Sequence, residues 1–248
     1  MPILDADASQ IEWRVAMFLS QDEVGIREIK DGVDFHADNA EKYLVTNIPG
    51  STVTEMRTPA KRVGFGLIYG KTPQGFAKDT LFPINSREVC QEIVDGFYTK
   101  YAKLKQKHDE WIEEVNSTGQ IVQPTGRVLA FRRFKNYKGI MAYNLAQIKN
   151  YPVQSLATAD IMPLAIVTIN RKIRQFNIPC KFIMQVHDSC IYDVPSSSIK
   201  QLGSLCVSVF RDLPNLIEEY FGFKFNVPLD GEVKAGVTWA KCKKIDVQ

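Results

Sequence analysis

Apolar residues follow two different periods along this chain. Near each end, short apolar runs stop at a carboxylate. Ile3-Leu4 comes just before Asp7, and Phe182-Ile183-Met184-Gln185-Val186 runs into His187-Asp188. Such runs read as strands. Lys181 to Val186 and Cys190 to Val194 predict a hairpin turning at His187-Asp188, and Glu232 to Ala235 predicts a last short strand. The middle of the chain repeats at helical spacing instead. Val89, Ile93, Phe97, Tyr101 and Leu104 share one stripe, followed by Trp111, Ile112 and Val115. Asn85 with Glu88 is a capping-box start for this block, and Gly119 is its stop. Gln10–Leu19, Asp34–Leu44, Gln154–Phe176 and Ile199–Leu213 read as further helices. Thr58 followed by Pro59 predicts a helix start, because proline suits a first turn, and Gly70 closes that helix after Tyr69. Pro124-Thr125-Gly126-Arg127 predicts a turn between two short strands. The class is α+β: an antiparallel sheet with packed helices on one side and a helical insertion.

Composition changes this picture little. With 248 residues, 45% hydrophobic and 24% charged, the chain has the balance of an ordinary globular protein. No apolar run is expected to span a membrane, and no signal-peptide pattern is visible. The five cysteines are odd in number and form no CxxC pair, so reduced thiols in a cytosol-like compartment are expected. Net charge is only +3, but its distribution is uneven. Gln120 to Ala159 holds no Asp or Glu, yet contains Arg127, Arg132, Arg133, Lys135, Lys138 and Lys149. Such a stretch suits a phosphate backbone, although a solvated basic face reads the same way.

Candidate chemistry sits where the two periods meet. Two strand-end carboxylates, Asp7 and Asp188, can hold divalent metal, since hard cations prefer carboxylate oxygens. Between them Arg57, Lys61, Phe65 and Tyr69 recur at steps of four, which places two cations and two rings on one helical stripe. Such a stripe can hold a nucleoside triphosphate. Asp5 shares the strand face of Asp7 and is a competing candidate.

These residues carry a family resemblance. Asp7-Ala-Ser-Gln-Ile-Glu12-Trp-Arg14 resembles motif A of the family A DNA polymerases, Arg57 to Gly70 resembles their motif B, and Val186-His187-Asp188 resembles motif C. The match runs from about residue 3 to Trp239. It implies a palm built from residues 1–36 and 119–248, a fingers insertion over 37–118, and template-directed addition of dNTPs to a primer by two-metal transfer. Asp7, Asp188 and the Ala8 carbonyl are then ligands of two Mg²⁺ ions. Lys61 is a catalytic cation that protonates the leaving pyrophosphate. Gln10, His36, Arg57 and Lys61 meet the nucleotide phosphates, while Phe65 stacks near its sugar and base. Phe at that position, where some members have Tyr, implies rejection of dideoxynucleotides. Glu12, beside Tyr69, is the steric gate against a ribose 2′-hydroxyl. Arg127, Asn150, Gln154 and His187 contact primer or template. Two departures stand out. Ser189 replaces a Glu common after the motif C Asp, and Ala146 replaces a common Arg, with Lys149 the nearest substitute.

The family's thumb, which lies upstream of motif A, and its exonuclease have no counterpart among these residues. Two expectations follow: the residues are a portion of a longer enzyme, or a second polypeptide supplies the thumb and possibly the exonuclease, docking on an apolar face and an open sheet edge near residues 3–7. The cytoplasm of a bacterial or virus-infected cell is the implied location. The alternatives are a non-catalytic DNA- or partner-binding subunit that keeps the fold, and a related RNA polymerase, which Glu12 and Phe65 disfavour.

Overall fold

The computed structural model describes residues 1–135 and 139–247. In chain order, its first half runs β1 (Ile3–Ala8), α1 (Ile11–Ser20), α2 (Glu23–Lys30), α3 (Phe35–Asn39), α4 (Val53–Ile68), α5 (Pro73–Ala77), α6 (Arg87–Lys100) and α7 (Ala102–Thr118). Short strands follow: β2 (Gln120–Val122), β3 (Val128–Ala130), β4 (Phe134–Lys135) and β5 (Met141–Ala142). The rest is α8 (Leu145–Gln154), α9 (Met162–Gln175), β6 (Lys181–Val186), β7 (Ser189–Asp193), α10 (Ile199–Phe221), β8 (Gly231–Gly236) and β9 (Lys243–Ile245). Turns of π-helix occupy Ala40–Leu44 and Ser155–Ile161.

Packing divides the chain into two compact units, Met1–Val15 with Gln154–Gln248, and Ala16–Val153. These boundaries differ from the expected 36/37 and 118/119. Segments on either side of the helical block belong to its packing. The Tyr101 hydroxyl donates to Glu28 at 2.7 Å, and Lys100 bridges Glu28 at 2.6 Å and Asp38 at 2.9 Å. Residues 16–36 are therefore tied to the helical unit.

The first unit is built on a five-stranded sheet ordered β6-β7-β1-β8-β9 with antiparallel neighbours. Leu4, Ala6 and Ala8 alternate with Asp5 and Asp7 along β1, so the apolar side chains share one face and the carboxylates the other. Helix α10 packs on this sheet through Leu202, Cys206, Val209, Phe210 and Leu213, all fully buried. Phe210 lies so close to Gly231 that a Cβ there would overlap its ring. The expected open edge at residues 3–7 is not found. β1 is a central strand, because β7 and β8 pair with it on both sides, and the edges are β6 and β9. The exposed apolar residues of the sheet lie on β6, at Phe182, Ile183 and Met184.

The second unit is helical. Asp22 organises much of it. One oxygen accepts from Gly25 N at 3.1 Å and caps α2, while the other accepts from Lys103 N at 3.0 Å and Leu104 N at 3.4 Å at the start of α7. Aromatic edges pack around Phe97, whose ring centroid is 6.5 Å from that of Phe35 and 4.8 Å from that of Tyr101. Helix α4 starts earlier than the Thr58-Pro59 signal predicts. Thr52 and Glu55 form a reciprocal capping box, and Pro59 lies inside the helix. Arg57 is thus a residue of the helix, not of its approach. Helix α6 is capped by Ser86 instead of Asn85, and its stripe breaks at Tyr101 before α7 begins. The Pro124–Arg127 turn forms as expected, with Gly126 at φ 84° and Gln123 N donating to Arg127 O at 2.8 Å. Lys138 of the basic stretch lies outside the described residues.

Helical structure also begins nine residues before Gln154, at Leu145, and runs to Gln175. By length and composition this 31-residue run could cross a membrane, contrary to expectation; 56% of its apolar window is buried inside the protein, as in a core helix. Helix α10 continues past Leu213 to Phe221, and β9 was not anticipated.

Asp22→Ala strands three backbone N–H groups. It should destabilise the helical unit by about 2–4 kcal/mol, read from urea denaturation, with Asp22→Asn recovering part of the loss.

Candidate active site

The two antiparallel ladders of β1 bring the strand-end carboxylates together. Asp7 stands opposite Ser189 of β7 and opposite Glu232 of β8. Ala8 N donates to Asp188 O at 2.9 Å, which ties the end of β1 to the β6–β7 turn. That turn is tight, with His187 at φ 52° and exposed. The Ser189 hydroxyl donates to Asp7 Oδ2 at 2.9 Å, so the residue that follows Asp188 holds the Asp7 carboxylate directly.

The electrostatics follow from this crowding. Burial and the neighbouring Asp188 charge push the Asp7 carboxyl up to about 6, against the Ser189 hydrogen bond and Lys234. Asp188 is raised as well, chiefly by burial and also by Glu12. Lys234 stands opposite Asp5 on β8 and pairs with Glu232 at 2.9 Å. Asp5 itself is engaged elsewhere: its Oδ2 accepts from Trp239 Nε1 at 2.9 Å. Asp5 is also buried whereas Asp7 is half-buried, which favours Asp7 over Asp5 as the carboxylate open to a cation. Arg14 spends its guanidinium on the carbonyls of Ser9 at 2.9 Å and Pro228 at 2.5 Å, a structural role.

Two crowded carboxylates with elevated pKa values fit a divalent cation, which would relieve their repulsion. The donor set is hard oxygen, as Mg²⁺ prefers. Among the described residues no group of three or more His, Cys, Asp or Glu side chains is arranged to hold a metal. The residues thus fit an ion that takes only part of its coordination from protein and the rest from substrate phosphate and water.

The cationic and aromatic candidates lie in the second unit. Arg57 and Lys61 are exposed on α4, while Ala60, Val63, Gly64, Leu67 and Ile68 bury its opposite face. Phe65 and Tyr69 continue the open stripe as a stacked pair, centroids 6.3 Å apart. Helix α3 approaches this stripe closely because Gly64 has no side chain; a Cβ there would sit 2.5 Å from the Phe35 ring. Gly66 makes similar room for Phe76. The glycines therefore serve close packing. The approach sets the His36 ring 5.6 Å from Phe65. Burial, then Lys61, lowers the His36 pKa to about 4, so its imidazole is neutral at physiological pH.

Sequence reasoning missed Asp34. It caps α3 and also accepts from Arg57 Nε at 3.0 Å and Nη2 at 2.9 Å. A cap signal was visible beside His36, but a partner 23 residues away leaves no local mark. The remaining candidates are dispersed. Gln10 (φ 52°) and Glu12 follow β1, and Gln154 opens the π-helical turn of the first unit. In the second unit Arg127 lies exposed in the β2–β3 turn, and Asn150 buries its Oδ1 on α8. Lys149 fits a DNA contact poorly. Its stem packs on Gly70 and burial lowers its pKa.

A palm-like antiparallel sheet bearing two strand-end carboxylates, with a separate helical unit bearing cations and rings, defines an α+β polymerase fold. A solved polymerase domain shares it: the "POL domain of Pol1 from M. smegmatis complex with DNA primer-template and dNTP" aligns with TM-score 0.75 and 21% identity, over 96% of this chain and 40% of that one. Residues 1–241 match the sequence model of DNA polymerase family A, and the chain belongs to that family. It is 31% identical over 242 residues to DNA polymerase I of Caldicellulosiruptor bescii, covering 97% of this chain and 27% of that protein. DNA polymerase I of Geobacillus stearothermophilus is 27% identical over 247 residues, 26% of its length. The chain thus spans about a quarter of these relatives.

The Asp7 shift has a stability consequence. The folded-state pKa is raised, so its contribution is favourable below the unfolded value near 3.8 and is lost as pH rises through about 6. Asp7→Asn should therefore stabilise the metal-free protein at pH 8, by about 1–3 kcal/mol, and stabilise it little at pH 4. Thermal unfolding in a chelator at both pH values checks this, and added Mg²⁺ should narrow the difference at pH 8.

Proposed function

We propose that this chain is a template-directed DNA polymerase module that adds dNTPs to a primer 3′-hydroxyl by two-metal nucleotidyl transfer. The observation that carries the reading is the crowding of Asp7 and Asp188 at adjoining strand ends in a family A chain. Asp7, Asp188 and the Ala8 carbonyl would hold two Mg²⁺ ions. When bound, such ions activate the attacking hydroxyl and neutralise the leaving pyrophosphate.

The chain's own groups supply the rest. Arg57 and Lys61 are exposed cations that receive the triphosphate, and Lys61 gives its proton to the departing pyrophosphate. Neutral His36 and Gln10 donate hydrogen bonds to phosphate oxygens. Phe65 stacks on the sugar and base, supported by Tyr69 behind it. Glu12 fills the volume of a ribose 2′-hydroxyl and so selects dNTPs by clash. Arg127, Asn150, Gln154 and His187 read the shape of primer-template DNA, with Lys149 a weaker candidate. The solved relative in complex with DNA primer-template and dNTP supports both partners. We place this activity in the cytoplasm.

Primer extension with Mg²⁺ and dNTPs tests the activity. Asp188→Ala should lower it by about a thousandfold or more while the fold persists. Extension that survives the substitution refutes the metal assignment. In an rNTP/dNTP competition, Glu12→Ala should raise rNTP incorporation by about tenfold or more. Unchanged selectivity would remove Glu12 from the gate.

A further inference from the structure

We propose that Asp34 is a positioning residue for nucleotide binding: it orients the Arg57 guanidinium toward the phosphates of the incoming triphosphate and locks it to the helix that carries His36. This rests on the reading of α3 and α4 as the triphosphate site.

The two oxygens of Asp34 have separate tasks. Oδ1 accepts from His36 N at 3.0 Å and Ala37 N at 3.2 Å, closing the first turn of α3. Oδ2 accepts from Arg57 Nε at 3.0 Å and Nη2 at 2.9 Å. One carboxylate thus joins the backbone beside His36 to the cation on α4. Burial opposes its charge, but the Arg57 hydrogen bond and the two backbone donors hold its pKa below the ordinary carboxylate value. It remains an anion throughout the physiological range.

Stability does not account for this pair. Both side chains are partly open to water, at 44% and 42% exposure, and such surface pairs contribute about 0–1 kcal/mol. The α3–α4 approach is secured instead by Phe35 against Gly64. What the pair supplies is direction. Arginine is long and adopts many rotamers, and fixing it in advance removes an entropic cost from ligand binding. A guanidinium has five N–H donors, and two go to Asp34, which leaves three for phosphate oxygens. Asp34 therefore need not release Arg57 when a triphosphate arrives.

The opposite role, a resident counter-ion that competes with the triphosphate, predicts the opposite sign. The test measures equilibrium binding of a dNTP and of the matching dNMP to the whole chain with Mg²⁺ and primer-template DNA whose primer lacks a 3′-hydroxyl, so that no dNTP is consumed. Wild type is compared with Asp34→Asn, Arg57→Ala, the double variant and Lys61→Ala. Asparagine keeps an acceptor for the α3 cap while it removes the charge that aligns Arg57. Asp34→Asn should weaken dNTP binding by about tenfold, leave dNMP binding unchanged, and add nothing in the Arg57→Ala background. Thermal unfolding should change little. Unchanged or tighter dNTP binding overturns the proposal, as does an equal loss for dNTP and dNMP. If Arg57→Ala and Lys61→Ala also leave dNTP binding intact, the triphosphate reading of α4 fails and this inference fails with it.

Discussion

Backbone pairing holds two carboxylates, Asp7 and Asp188, on neighbouring segments where burial and mutual charge both oppose their ionisation. β1 lies between β7 and β8, and Ala8 N is bonded to Asp188 O, so the backbone segments that carry the two carboxylates are fixed beside each other at the sheet centre. The repulsion is only partly offset, by the Ser189 hydroxyl and by Lys234. A protein that tolerates such a conflict in its central strand retains an unsatisfied preference for a cation. That preference is the physical basis of the metal chemistry proposed for this member of family A.

The helical unit solves a different problem. It must present two cations and two rings on one open helical face without losing the packing of the other face. Glycines at 64 and 66 allow Phe35 and Phe76 to approach α4 closely, which puts His36 beside Phe65. The accompanying cost in helix propensity, about 1 kcal/mol per glycine, is offset by the capping box at Thr52 and the apolar burial of Leu67 and Ile68. Carboxylates do much of the fastening here. Asp22 joins two helix starts, and Asp34 joins a helix start to a cation.

Periodicity showed where most elements lie, because strand and helix periods are local properties of side-chain placement. The β6–β7 hairpin, the turn at Pro124–Arg127 and the Gly119 stop were legible for that reason. Local signals misled where two starts competed. Thr52 with Glu55 satisfies more backbone donors than Thr58 with Pro59, so α4 begins at the former. The open edge expected at residues 3–7 was misplaced because one strand's composition says nothing about its neighbours.

The sequence alone determined the identity and order of the candidate groups: strand-end carboxylates, a stripe of Arg57, Lys61, Phe65 and Tyr69, and a basic stretch free of acids. These follow from spacing along one segment. Tertiary structure alone decided that β1 is central, that Ser189 holds Asp7, that Trp239 engages Asp5, and that Asp34 holds Arg57. Each of these joins residues far apart in the chain, and their approach is set by packing, which no local period encodes.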